Sequence, residues 1–94
     1  MKFIPYFSVI IPTFNRSKLL SRAIKSVLDQ SFQDWELIIV DNYSLDNTEE
    51  VVKSFNSKKI KLYKFKNNGI IGASRNYGIK QSIGNYIAFL DSDD

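Results

Sequence analysis

Four short apolar runs, each closing on a polar or proline residue and separated by helix-length stretches, confine this chain to one kind of fold. Phe7-Ser8-Val9-Ile10-Ile11 is β-branched and stops at Pro12, as a buried strand does. Trp35-Glu36-Leu37-Ile38-Ile39-Val40 stops at Asp41, and Tyr86 to Leu90 stops at Asp91. Ile60 to Lys66 is a further strand, studded with lysine. Between the first two runs, Leu20, Ala23, Ile24, Val27 and Leu28 fall at i, i+3, i+4, i+7 and i+8, one helical stripe. Asn15 or Ser17 is placed to cap that helix. Asp46 opens a second helix, with Glu49 as its capping-box partner and Val51, Val52 and Phe55 facing inward. A third helix is predicted over Gly72 to Ser82, after the turn Asn67-Asn68-Gly69.

The order is therefore βαβαβαβ with short connections. Right-handed crossovers turn that order into an α/β fold, a Rossmann-like parallel sheet with helices on both faces. Lysine on the third strand marks it as a sheet edge, because charge there discourages further pairing. Ligands of such sheets bind at the carboxyl ends of the strands. Four segments should converge on that rim: Pro12 to Arg16, Asp41 to Asp46, Asn67 to Arg75, and Asp91 to Asp94. They are also the segments richest in polar groups.

Ninety-four residues make at most one small domain, or a piece of a larger one. No repeat or linker divides it, so residues 1–94 are read as a single, truncated domain. A hydrophobic content of 44% is ample for a core and argues against disorder. The net charge is +3, and the cluster Lys58, Lys59, Lys61, Lys64 and Lys66, which nucleic acid or anionic lipid could meet, reads better as a solvated strand edge, so no nucleic-acid partner is expected. Without cysteine, disulfides and thiolate zinc sites are excluded; without histidine, so is the commonest general base. Met1 to Tyr6 is too short and polar for a signal peptide, and no apolar stretch reaches membrane-spanning length. The expectation is a cytoplasmic protein, peripheral to the membrane at most.

Asp91-Ser92-Asp93-Asp94 puts three carboxylates in four residues at the end of a strand. Such carboxylates repel one another unless a cation sits among them, and oxygen ligands favour hard ions such as Mg²⁺ or Mn²⁺. Asp41 is placed either to accept from a ribose hydroxyl or base N–H, or to hold nearby backbone N–H groups. Thr13 and Asn15 are placed beside a nucleoside or serve as turn residues. Ser44 and Asp46 read as cap and turn residues. Gly69, Gly72, Ala73 and Gly78 permit close approach either by a ligand or by the sheet. Arg75 suits phosphate or base-carbonyl recognition.

Taken together these strings resemble the family 2 glycosyltransferases. Phe7 to Arg16 is similar to that family's opening strand and loop, and Leu28 to Asp41 to its first helix end and second strand. Asn68-Gly69, then Ala73-Ser74-Arg75-Asn76-Tyr77-Gly78, resembles its Asn-Gly…Ala-Arg-Asn-x-Gly segment. Phe89 to Asp94 is similar to its Asp-x-Asp metal motif. The resemblance implies the nucleotide-binding half of a GT-A fold that holds a nucleoside diphosphate sugar, with a UDP-sugar favoured. It implies donor contacts by Pro12, Thr13, Asn15, Asp41, Arg75 and Asp91, and a metal held by Asp93 with Asp94. It implies inverting transfer to a glycan or lipid-linked acceptor hydroxyl, with the catalytic base on a later segment; no residue of this chain is nominated for that role. One departure is visible: the family's common Asp-Asp-Gly-Ser stands here as Asp41-Asn42-Tyr43-Ser44.

A dinucleotide-dependent oxidoreductase, like a nucleotidyltransferase, wants a glycine-rich turn after the first strand, and Pro12 to Arg16 holds no glycine. A non-catalytic nucleotide-binding or self-associating module would pair through the free edge of the fourth strand, which predicts dimers or larger species.

Overall fold

β-Branched residues crowd the two middle strands because those strands are covered on both faces. The computed structural model describes residues 4–92; Asp93 and Asp94, the expected metal ligands, lie outside them. Its elements in chain order are β1 (Phe7–Thr13), α1 (Ser17–Leu28), β2 (Trp35–Asp41), α2 (Thr48–Ser54), β3 (Ile60–Lys64), α3 (Ile71–Gln81) and β4 (Tyr86–Phe89). The strands form one parallel sheet in the order β3-β2-β1-β4. This is the α/β architecture expected, with β3 at one edge and β4 at the other. Every residue of β2 is buried, which explains why its sequence is continuous rather than alternating.

The two faces carry separate cores. On one, Leu20, Ala23, Ile24 and Val27 of α1 and Val52 of α2 pack on Ile11, Leu37 and Ile39. The helical stripe read from the sequence is thus the buried stripe. On the other face, Ile10, Ile38 and Val40 meet Tyr63, Phe65 and Tyr77, the last from α3. α3 is barely amphipathic and docks through small residues instead. Ser74 and Gly78 are buried, and a Cβ on Gly78 would stand 2.6 Å from Ile10 Cγ2. Gly78 therefore serves helix–sheet packing, whereas Gly69 and Gly72 have open space around them.

The cap of α1 departs from expectation. Neither Asn15 nor Ser17 caps it; the residue before the helix is Arg16, with no side-chain cap bond. The Ser17 N–H donates instead to Asp46 Oδ2 at 3.1 Å, across the space between two loops. The same carboxylate accepts the Thr48 N–H at 3.1 Å and the Thr48 hydroxyl. α2 consequently begins at Thr48 rather than Asp46, and Glu49 is no capping-box partner: it pairs with Lys53 and Lys64. The Thr48 hydroxyl, working against burial, and the Ser17 N–H hold Asp46 below the ordinary carboxylate value.

One charge inside β2 has its own set of partners. Glu36 is buried at 2% exposure and accepts from the Ser8 hydroxyl at 2.6 Å, the Ile83 N–H at 2.7 Å and Lys61 Nζ at 3.0 Å. The Gly84 N–H donates to Ser8 Oγ at 2.8 Å, which leaves no room for a side chain at Gly84. The network ties the turn before β4 to the amino-terminal ends of β1 and β2. The lysines in and next to β3 are correspondingly more engaged than a solvated edge: Lys61 holds Glu36, Lys64 holds Glu49, and Lys59, just before the strand, lies 4.7 Å over the Trp35 ring. Among the described residues, no helix is long and apolar enough to cross a membrane.

Candidate functional site

The carboxyl ends of the strands open into a cleft of about 380 Å³ to which all four expected segments contribute. Pro12, Thr13, Phe14 and Arg16 come from the end of β1 and its loop, and Asn42 from the end of β2. Asn67, Gly69, Ile71 and Arg75 come from the β3–α3 loop and α3, and Asp91 and Ser92 from beyond β4. The parallel order explains the convergence, because every strand delivers its following loop to the same rim. The cleft lies at the switch in strand order, where β1 is flanked by β2 on one side and β4 on the other.

Arg75 and Asp91 face one another there, with Arg75 Nη2 donating to Asp91 Oδ1 at 3.0 Å. The guanidinium also stands 6.0 Å over the Phe89 ring. Both charged groups keep solvent access, so each can exchange its partner for a ligand. Thr13 is buried on the cleft wall, and its hydroxyl has no hydrogen-bond partner among the described residues. A buried hydroxyl in that state costs about 1–3 kcal/mol, a penalty that a ligand oxygen would remove.

Asn15 and Asp41 stand beside the cleft rather than on its wall. Asn15 adopts a left-handed backbone (φ 51°), a conformation asparagine tolerates. Its N–H donates to Ser44 Oγ at 2.8 Å and its Oδ1 accepts the Leu45 N–H at 2.7 Å. Asp41 is buried at the end of β2, and its carboxylate accepts the Ser44 N–H at 3.2 Å and the Ser44 hydroxyl. Of the two roles open to Asp41, holding nearby backbone is thus occupied. The three residues lock the loop after β1 to the loop after β2.

Asn42 and Asn67 form a second lock that sequence reasoning passed over. The Asn67 N–H donates to Asn42 Oδ1 at 3.0 Å; Asn67 Nδ2 donates to Ser74 Oγ at 2.9 Å, and its Oδ1 accepts the Gly69 N–H at 2.8 Å. These bonds set α3, and with it Arg75, against the end of β2. The signal available was an asparagine in the loop after each of two strands, where a side-chain amide can stand in for backbone.

Asp91 gives the rim an accessible carboxylate oxygen, the ligand type that hard divalent ions take. Among the described residues no three His, Cys, Asp or Glu side chains gather to hold a metal.

Comparison with known proteins agrees with this geometry. The model of glycosyl transferase family 2 matches residues 8–94. The chain is 49% identical over 88 residues to an uncharacterized glycosyltransferase of Rickettsia conorii, covering 93% of this chain and 14% of that protein. It is 40% identical over 93 residues to the GalNAc(5)-diNAcBac-PP-undecaprenol beta-1,3-glucosyltransferase of Campylobacter jejuni, covering 96% of this chain and 30% of that protein. Among solved structures it resembles S. aureus TarS 1-349 in complex with UDP, with a TM-score of 0.86 and 35% identity over 93% of this chain and 27% of that one. The chain thus spans well under half the length of these relatives. On its fold, its rim and its sequence, the chain belongs to glycosyl transferase family 2.

Proposed function

We propose that this chain is the donor-binding portion of an inverting glycosyltransferase, which passes a sugar from a nucleoside diphosphate sugar to an acceptor hydroxyl. The observation that carries the reading is the cleft joining Pro12, Thr13, Arg75 and Asp91 at the carboxyl rim of the sheet. A UDP-sugar is the favoured donor, supported by the likeness to TarS in complex with UDP. A lipid-linked acceptor is supported by the name of the Campylobacter jejuni relative. That acceptor chemistry would bring the protein to the cytoplasmic face of a membrane.

In this reading Arg75 binds the negatively charged diphosphate or a base carbonyl, and Asp91 faces the ribose and diphosphate. The Thr13 hydroxyl and Pro12 line the nucleoside side, and Asn15 and Asp41 hold the loops around it. Asp93 and Asp94 would hold Mn²⁺ or Mg²⁺, which would supply positive charge to offset that developing on a departing diphosphate. The base that deprotonates the acceptor is not assigned to any residue of this chain.

Titrating UDP and GDP with Mg²⁺, followed by amide NMR of the 94-residue chain, tests the reading. Shifts at Thr13, Arg75 and Asp91 are expected with UDP and should weaken when the metal is chelated. No shift at these residues with either nucleotide would overturn it. A second reading, self-association, is favoured by the exposure of Tyr86, Ile87 and Phe89 on β4, whose outer edge has no partner among the described residues.

A further inference from the structure

β4 is the shortest strand of the sheet, and its own side chains do little to fix its register. Tyr86 and Ile87 point to opposite faces, and both are exposed, at 55% and 37%. Of the run from Tyr86 to Leu90, only Leu90 packs against a core of the described residues. A strand with no preferentially buried face is prone to slip along its neighbour. Yet β4 stands in one register on β1, with Tyr86 opposite Phe7 and Phe89 opposite Ile10. The turn that leads into it is held more firmly than the strand. Its two successive N–H groups end on buried side chains: Ile83 donates to Glu36 Oε2 at 2.7 Å and Gly84 to Ser8 Oγ at 2.8 Å. The Ser8 hydroxyl donates in turn to Glu36 Oε2 at 2.6 Å, and Lys61 holds the other carboxylate oxygen at 3.0 Å. The fit is also steric. A Cβ on Gly84 would lie 2.7 Å from the Ser8 backbone nitrogen, so a slip that put Ile83 or Asn85 in its place is blocked.

We infer that Glu36 and Ser8 are positioning residues for the donor site, which set the register of β4 and so bring Asp91 to Arg75 at the other end of the sheet. The inference rests on the donor-binding reading above and adds what holds Asp91 within it. α3 has holds of its own, Gly78 against Ile10 and Asn67 Nδ2 donating to Ser74 Oγ, so Arg75 depends less on this bracket. Asp91 comes two residues after the end of β4, and its place follows from the register of that strand. A slip of two residues, which keeps the faces, would carry it about 6.6 Å along the sheet and break its 3.0 Å bond to Arg75.

The test uses the 94-residue chain with Mg²⁺ and UDP, and reads register and affinity separately. Backbone NOEs between β1 and β4 report the register without any nucleotide. Ser8→Ala removes the acceptor of the Gly84 N–H, and Gly84→Ala does not fit beside Ser8. Each should weaken or abolish the NOEs that pair β1 with β4 while those between β1 and β2 remain. Both should lower UDP affinity about tenfold. Glu36→Gln, which keeps an acceptor for the Ile83 N–H, should lose about threefold and so rescue part of what Glu36→Ala loses. In an Asp91→Ala background, Ser8→Ala should change affinity by less than about twofold, because its effect passes through Asp91. Val52→Ala, a cavity in the core beneath α1 and α2, should lower the urea midpoint and leave UDP affinity unchanged. A β4 register unchanged in both Ser8→Ala and Gly84→Ala would overturn the lock. A lost register with full UDP affinity, or a Ser8→Ala effect that persists undiminished without Asp91, would overturn its role at the site. A wild-type chain that binds neither UDP nor GDP would overturn the donor reading and this role with it, while the register NOEs still decide the lock.

Discussion

The Arg75 guanidinium donates to Asp91 Oδ1 at 3.0 Å, joining α3 to the segment after β4 across the mouth of the cleft. Both partners are a third to a half exposed, so the pair contributes at most about 1 kcal/mol to stability. In the proposed donor site the pair presents opposite charges to a ligand that carries both phosphate and metal. Arg75→Ala and Asp91→Asn should each weaken Mg²⁺-dependent UDP binding at least about tenfold, or ~1.4 kcal/mol, while urea unfolding midpoints hardly move. A loss of stability without a loss of affinity would make the pair purely structural.

Asp46 closes the first turns of two helices with one carboxylate. Asp46→Ala should destabilise the chain by about 1–2 kcal/mol, more than loss of an ordinary single cap, as read by chemical denaturation. Asp46→Asn, which retains one acceptor oxygen, should recover part of that loss.

Glu36 makes stability depend on pH. Burial pushes its carboxyl up, but the Ile83 N–H, the Ser8 hydroxyl and the Lys61 ammonium outweigh that and hold it below the ordinary value of 4.5. A carboxylate depressed in the folded state binds its proton more readily when unfolded. Its contribution is therefore complete above pH 4.5 and is lost as pH falls through the lower folded value. Glu36→Gln should cost about 1–3 kcal/mol at neutral pH and flatten the acid limb of the stability profile.

Gly78 lets α3 sit directly on β1. Gly78→Ala would bring a Cβ to 2.6 Å from Ile10 and should cost about 1–3 kcal/mol by overpacking. Because α3 also carries Arg75, UDP affinity should fall together with stability. Pairing the substitution with Ile10→Val should return some of both.

The free edge of β4 exposes Tyr86, Ile87 and Phe89. Light scattering should report dimers or larger species at high protein concentration. Ile87→Lys should shift them to monomer by placing charge on the edge. A wild-type chain that stays monomeric would remove the self-association reading.

Periodicity and punctuation made the architecture legible. The stripe Leu20, Ala23, Ile24 and Val27 is the buried face of α1, and the lysine-bearing run is an edge strand. The rim was legible for the same reason, since parallel connectivity alone sends four loops to one place. Contacts between distant segments were not. The cap of α1 comes from Asp46, 29 residues beyond Ser17, and no local pattern announces it. Glu36 is a lone acid in an apolar run, a visible signal, but its partners Ser8, Lys61 and Ile83 lie scattered along the chain. Asp41 and Asn15 carried the right chemistry for a ligand, and the fold directs their side chains to the neighbouring loops.

The sheet order also sets the tempo at which this chain assembles. β1 and β2 meet through one helix, whereas β4 must return past β2 to pair with β1, bringing Tyr86 opposite Phe7. Closing so long a stretch costs more loop entropy than joining β1 to β2, so β1, α1 and β2 are expected to form the folding nucleus and β4 to dock last, an order that folding and unfolding rates of variants would check. Changes at Gly84 or Tyr86 should then act mainly on the unfolding rate, and those at Ile11 or Leu37 on the folding rate. On that order Asp91, which follows β4, would reach the rim after the other three segments.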